Sequence, residues 1–186
     1  MTTRCRGKTS KLKRMDRLVV AALWAACALS AQTANPLSTE LVRSYDRIKG
    51  FLVTMAGKMP AEDYGFQATP DVETFARRVA HIANANYRTC AGIKGENKSL
   101  GAKGSKAELV KALKDSFEYC DGVFHSLTDE VALQMVDGRI SSPPLAPGEK
   151  QSRLSTLWNV VRHSNEMYGY MSVYLRLKGI VPPSSE

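Results

Sequence analysis

The chain has 186 residues, of which 44% are hydrophobic and 24% are charged, and this balance excludes an intrinsically disordered protein. The formal net charge of +8 is concentrated at the N-terminus, because residues 1–17 carry +6 and residues 32–186 carry only +2. The main part of the chain therefore gives no electrostatic reason to expect a nucleic-acid or membrane partner.

Residues 1–31 are predicted to be a secretory signal peptide. An uncharged, apolar stretch at 18–31 follows the basic segment directly and ends in small residues. It is shorter than the roughly 20 residues that a transmembrane helix needs. Cleavage is expected after Ala28 or Ala31, and Met15 suggests that the first 14 residues are an over-long start assignment. An uncleaved anchor, an N-terminal core helix and a lipoprotein site at Cys27 are the alternatives.

The first two predicted helices follow the leader. Apolar residues at three- and four-residue spacing predict one amphipathic helix from about residue 38 to Lys58, with Pro60 beyond its end. Thr69-Pro70-Asp71 is typical of a helix start, so the second helix is predicted to run from there to about Gly92. The residues expected in the core are Leu41, Tyr45, Ile48, Leu52, Met55, Val72, Phe75, Val79, Ile82, Ala83 and Asn86.

The remaining helices lie after a Gly- and Lys-rich linker at 92–104. Ser105 and Glu108 form a predicted capping box at the start of the third helix. A short helix capped by Thr128 is expected to reach about Met135, and a Pro-containing loop follows. The fourth long helix is predicted from Arg153 to Leu177, with Gly179 just past its end. The residues expected in the core are Leu109, Leu113, Phe117, Cys120, Phe124, Leu154, Leu157, Trp158, Val161, Tyr168, Met171 and Leu175.

These patterns predict an all-α fold for residues 36–186. No segment alternates between apolar and polar residues at period two, so no sheet is expected. Four helices of about 20 residues, joined by loops, are typical of a four-helix bundle.

The chain contains three histidines. His81 and His163 are central in the second and fourth long helices, where bundle proteins place ligand side chains. His125 lies near the end of the third helix. The negative end of the helix dipole favours a histidine there, so its presence needs no functional role. It is also a candidate replacement ligand. A lone helical histidine is more often structural, so composition alone does not assign a site.

The segment around His163 resembles the last helix of the DinB-like family. It reads Arg162-His-Ser-Asn-Glu-Met-Tyr-Gly-Tyr-Met-Ser-Val-Tyr-Leu-Arg176, whereas the family pattern has a His, a second His four positions later, a Gly and a Tyr-Leu-Arg ending. His81, within Arg78-Val-Ala-His-Ile-Ala, resembles the helix-two ligand of that family. Further matches span about residues 38–186: Ile48-Lys49, the loop with Met59, Pro60, Tyr64 and Phe66, and the closing segment 179–185.

The resemblance implies a four-helix bundle with a long crossover between helices two and three. It also implies a divalent ion, commonly zinc or nickel, held by three histidines with open positions for water. Here the second histidine of the last helix is replaced by Met167. A thioether binds zinc and nickel poorly, so His81, His163 and Met167 would form a weakened site, and a protein without metal is an equal expectation.

The exported members that this chain resembles most share the leader and a cysteine pair, Cys90 and Cys120. The resemblance therefore implies a Cys90–Cys120 disulfide, which an oxidising compartment permits. Two buried free thiols are the alternative.

The sequence thus predicts an exported, periplasmic or secreted DinB-like protein of unassigned reaction with an altered metal site. An active metal-dependent hydrolase or thiol transferase, and a non-catalytic binder of a metal or small ligand, are the alternatives. The expected partner is a small molecule. Nucleic acid is not expected, nor is a membrane once the leader is removed, and a homodimer is left open.

Overall fold

The computed structural model describes residues 35–140 and 144–186, and the predicted signal peptide lies outside them. The described part is mostly helical, with long helices α1 (Pro36–Lys58), α2 (Phe75–Ile93) and α3 (Lys106–Phe124), a short α4 (Asp129–Ala132) and the long α5 (Arg153–Leu177). None of the helices in this part of the chain is long and apolar enough to cross a membrane.

One small sheet contradicts the expectation of an all-helical chain. Strands β1 (Met135–Asp137) and β2 (Lys150–Ser152) pair antiparallel, with Val136 opposite Gln151. Each strand has three residues, too few to show an alternating pattern in the sequence. The hairpin links α4 to α5, and Ser152 at its end caps α5 by accepting a hydrogen bond from the Ser155 amide.

The start of α2 also differs from the sequence prediction. Thr74 is the N-cap, and its hydroxyl accepts from the Arg77 amide at 3.3 Å, whereas Thr69 forms only a turn. The amides of Phe75 and Ala76 donate instead to carbonyl groups of Phe66 and Tyr64. The preceding loop therefore supplies the partners of the first helical amides, and this tertiary contact outweighs the local Thr-Pro-Asp signal.

The apolar stripes of the helices meet in one core. Every predicted core residue of α1 and α3 is buried, whereas Trp158 on α5 is 51% exposed. The buried face of α5 follows Leu157, Val161 and Ser164. Trp158 lies about 100° around the helix from Leu157, so its predicted place in the core was wrong.

Contacts between the long helices show their relative directions. Tyr45 on α1 stacks on Phe124 at the end of α3, at 3.8 Å between ring centroids. Lys106 at the start of α3 donates to the Gly57 carbonyl near the end of α1, at 2.8 Å, so these two helices run antiparallel. Cys90 near the end of α2 is bonded to Cys120 near the end of α3, with 5.4 Å between their Cα atoms. The predicted disulfide is therefore present. Near their beginnings, Ala76 and Leu109 line one cavity, so α2 and α3 are parallel. The connecting segment 94–105 must run back along both helices.

Candidate functional site

The two central histidines of the sequence lie side by side in the fold. Helices α2 and α5 run antiparallel, because the Tyr174 hydroxyl near the end of α5 donates to the Glu73 carbonyl just before α2. Their packing brings the Nε2 atoms of His81 and His163 to 2.9 Å from each other. The rings are tilted by 55°, with 4.9 Å between their centroids. Two ring nitrogens at this distance can share a proton in the neutral state, or can both face one electrophile.

The environment of the pair favours neutral imidazole at His163. Burial of the ring lowers the pKa of His163 below its usual value, and the neighbouring charge of His81 lowers it further. His81 is exposed to solvent, whereas His163 is half-buried. A neutral ring is the form that binds metal ions, so the lowered pKa favours His163 as a ligand.

Buried polar groups surround the inner side of His163. A cavity of about 10 Å³, the size that admits one water molecule, is lined by His163, Asn86 and Thr89 among others. Asn86 is 1% exposed, and its Nδ2 atom has no hydrogen-bond partner among the described residues. The buried Ser164 hydroxyl is equally unpartnered there. Unsatisfied buried donors are rare in native proteins, and the adjoining cavity is large enough for a water molecule that would accept from the Asn86 amide.

Met167 occupies the third predicted position. It lies one helical turn after His163 and is 4% exposed, within the apolar core. The side chain is therefore on the inner face of α5, where the sequence pattern placed a ligand, but it supplies only a thioether.

His125 lies in a different cluster. Its Nε2 atom is 3.0 Å from Asp46 Oδ1, and His125, Asp46 and Asp121 form the one group of three acidic or histidine side chains in the described residues whose ligand atoms could hold a metal ion. His125 therefore does not join His81 and His163. Asp121 on α3 and His125, the C-cap residue of that helix, are four residues apart, a spacing visible in the sequence. Asp46 comes from α1, and its contact with them could not be predicted from that spacing.

A lysine already pairs with one of the two carboxylates of this second cluster. Lys49 donates from Nζ to both oxygens of Asp121, at 2.6 and 2.8 Å, and the Tyr45 hydroxyl lies 2.8 Å from the same carboxylate. Burial, followed by the Asp121 hydrogen bond, raises the pKa of Tyr45. A metal ion would have to displace an ammonium group that is in place, so the cluster is explained as an ion-pair network between α1 and α3.

An open cavity of about 390 Å³ adjoins His81. It lies between α2 and the end of the connecting segment, and the Ala102 amide donates to Asn84 Oδ1 at 2.9 Å to hold the two together. Gly104 forms part of the wall with a φ of +114°, and a Cβ there would collide with the Glu108 carboxylate. A side chain at position 104 would therefore disturb both the wall and the start of α3.

Comparisons with known proteins agree with this architecture. The family model of the DinB superfamily matches residues 40–171. None of the curated proteins matches the chain.

Two solved structures are similar in fold. A DinB-like protein from Bacillus cereus ATCC 10987 superposes with a TM-score of 0.62 at 18% identity, over 77% of this chain and 93% of that one. A DinB-like protein from Bacillus subtilis gives a TM-score of 0.61 at 18% identity, over 75% and 92% of the two chains. The four long helices, their directions and the match over residues 40–171 lead to one conclusion: this chain belongs to the DinB superfamily.

Proposed function

We propose that this protein is an exported four-helix-bundle member of the DinB superfamily that binds a divalent metal ion through His81 and His163. The observation that carries the proposal is the 2.9 Å separation of the two Nε2 atoms. Zinc lies about 2.0–2.1 Å from each histidine nitrogen in proteins, so two nitrogens at this separation can reach one ion. When bound, the ion would supply Lewis-acid or water-activating chemistry.

The donor set fits zinc or nickel only in part. Two neutral imidazoles suit these ions, whereas the thioether of Met167 does not. We therefore expect weak binding. His81 is exposed beside the open cavity, which supports a role in binding or converting a small molecule.

The test separates the two histidine clusters. Metal-free mature protein is titrated with zinc and with nickel in a calorimeter. Removing either ligand, as His81→Ala or His163→Ala, should weaken binding at least about tenfold. The matched variants His125→Ala and Asp46→Asn should change it by less than about twofold. Loss of binding in the second pair, with binding kept in the first, would assign the ion to Asp46, Asp121 and His125 instead.

Export is supported by the leader and by the Cys90–Cys120 bridge, because disulfides persist in oxidising compartments. The mature chain should begin between Leu29 and Asn35 when it is made in an exporting host. Intact mass of the purified protein decides this. A mass that retains Leu18–Ala28 would indicate an anchor rather than a cleaved signal peptide.

A further inference from the structure

The cavity beside His81 has an apolar floor and a charged wall. Its floor is apolar and built from small side chains, with Ala76, Ala80 and Ala102 around Leu109. Its volume of about 390 Å³ lies within the range of small-molecule pockets. A ligand that covers this floor must carry an apolar part of a few carbon atoms.

The charged wall of the cavity has an excess of cations. Glu73 is shared by two guanidinium groups, with Arg77 Nε at 3.2 Å and Arg78 Nη1 at 3.6 Å. Lys103, also in the wall, has no carboxylate within 4.0 Å among the described residues. The Glu108 carboxylate behind Gly104 accepts from the Ser105 amide and hydroxyl, both at 2.7 Å. Among the residues that line the cavity, Arg77 and Lys103 are cationic and Glu73 is the one carboxylate, so the wall favours an anion.

The spacing on α2 relates this wall to the histidine pair. Arg77 and His81 are four residues apart, so their side chains leave the same face of the helix about 5–6 Å from each other. A short molecule can place an anionic group at Arg77 and Lys103 while its other end lies at His81.

We propose that this cavity binds a small organic carboxylate, with the anion at Arg77 and Lys103 and the apolar chain on the alanine floor. The inference rests on the proposed function, because it makes the cavity the substrate pocket of the ion at His81 and His163. Arg77 and Lys103 would select for the charge of the substrate, and the shallow alanine floor would select for a narrow chain.

The test uses three probes of equal length, which are hexanoate, hexanamide and hexylammonium. Each is titrated into metal-free protein and followed by the amide resonances of the backbone. Hexanoate should shift the amides of residues 76–84 and 102–104, and hexanamide should bind at least about tenfold more weakly, because it lacks the charge-assisted contacts. Arg77→Gln and Lys103→Gln should each weaken hexanoate at least about threefold. Lys114→Gln, an exposed lysine on α3 outside the cavity, is the matched control and should have no effect.

Equal binding of the three probes, shifts confined to other regions or no binding of hexanoate would each overturn the inference. Metal-free protein is used so that a carboxylate cannot simply bind to the ion. If zinc binds at His81 and His163 but hexanoate does not bind in the cavity, this inference fails and the proposed function stands. If hexanoate binds as described but the histidines hold no metal, the proposed function fails and only the carboxylate pocket remains.

Discussion

The Nε2 atoms of His81 and His163 lie 2.9 Å apart, although the two residues are 82 positions apart in the chain. The antiparallel packing of α2 and α5 produces this contact, because each histidine lies near the middle of its helix. Met167, one turn further along α5, is the position at which the resemblance of the sequence led us to expect a third ligand.

Replacing Met167 with histidine should strengthen metal binding. Met167→His offers a third imidazole one helical turn from His163, and zinc affinity should rise at least about tenfold, equivalent to about 1.4 kcal/mol. Calorimetric titration of metal-free proteins measures the gain. Met167→Leu is the matched control, because it conserves the buried volume without adding a ligand, and His163→Ala should abolish the gain. Equal affinities of wild type and Met167→His would contradict the assigned role of position 167.

Asn86 is predicted to orient His163. A water molecule in the adjoining cavity would accept from the unpartnered Nδ2 of Asn86 and bridge to the ring of His163, whose Nε2 faces His81. Loss of such outer contacts typically lowers metal affinity 10–100-fold, so we expect a loss of about this size for Asn86→Ala. Asn97→Ala, in the exposed connecting segment, is the control. The role fails if Asn86→Ala binds zinc as tightly as wild type while remaining folded.

Removal of the Cys90–Cys120 bridge should destabilise the protein. The bridge closes a loop of 30 residues. In the chain-entropy model such a loop contributes about 3–4 kcal/mol to the free energy of unfolding. Urea unfolding of the oxidised protein and of a Cys90→Ala/Cys120→Ala double variant measures the difference. Two alkylatable thiols in unreduced, unfolded mature protein would show instead that the bridge does not form in the cell.

Acidification should lower the stability of the metal-free protein through protonation of His163. Its pKa in the folded state is lowered, first by burial and then by His81, while the unfolded chain keeps a value of about 6.5. Below about pH 6.5 the unfolded state therefore takes up a proton that the folded state resists, so stability falls as the pH is lowered through this window. Above it, His163 is neutral in both states and contributes no pH dependence.

Urea unfolding at about pH 7.5 and about pH 5.5 tests this prediction, with His163→Gln as the reference for all other titrating groups. The wild type should lose more stability on acidification than the variant. An equal loss of unfolding free energy in both proteins would show that protonation of His163 does not destabilise the folded state.

The helices could be predicted from the sequence because burial follows the helical period. Tyr45, Phe117 and Phe124 were placed correctly in the core, and the capping box of Ser105 with Glu108 marks the start of α3 as expected. Local patterns failed where tertiary contacts compete with them. Thr74, and not Thr69, caps α2, because the Tyr64–Phe66 loop supplies hydrogen-bond partners to the first amides of this helix.

The candidate site was less accessible to sequence reasoning. No spacing rule connects His81 with His163, and only the family resemblance suggested that they meet. The carboxylate pocket depends on residues 102–104, which the Gly- and Lys-rich composition marked simply as a linker. Asn86 was predicted as part of the inner stripe of α2, but its unsatisfied amide is visible only in the packed structure.

X-ray absorption at the zinc edge, on mature protein loaded with one equivalent of zinc, tests the central claim most directly. The account predicts two imidazole nitrogens at about 2.0–2.1 Å with light oxygen ligands completing the shell, and loss of the imidazole signal in His163→Ala. A shell dominated by carboxylate oxygen with a single imidazole, unchanged in His163→Ala, would place the ion at Asp46, Asp121 and His125 and contradict the account.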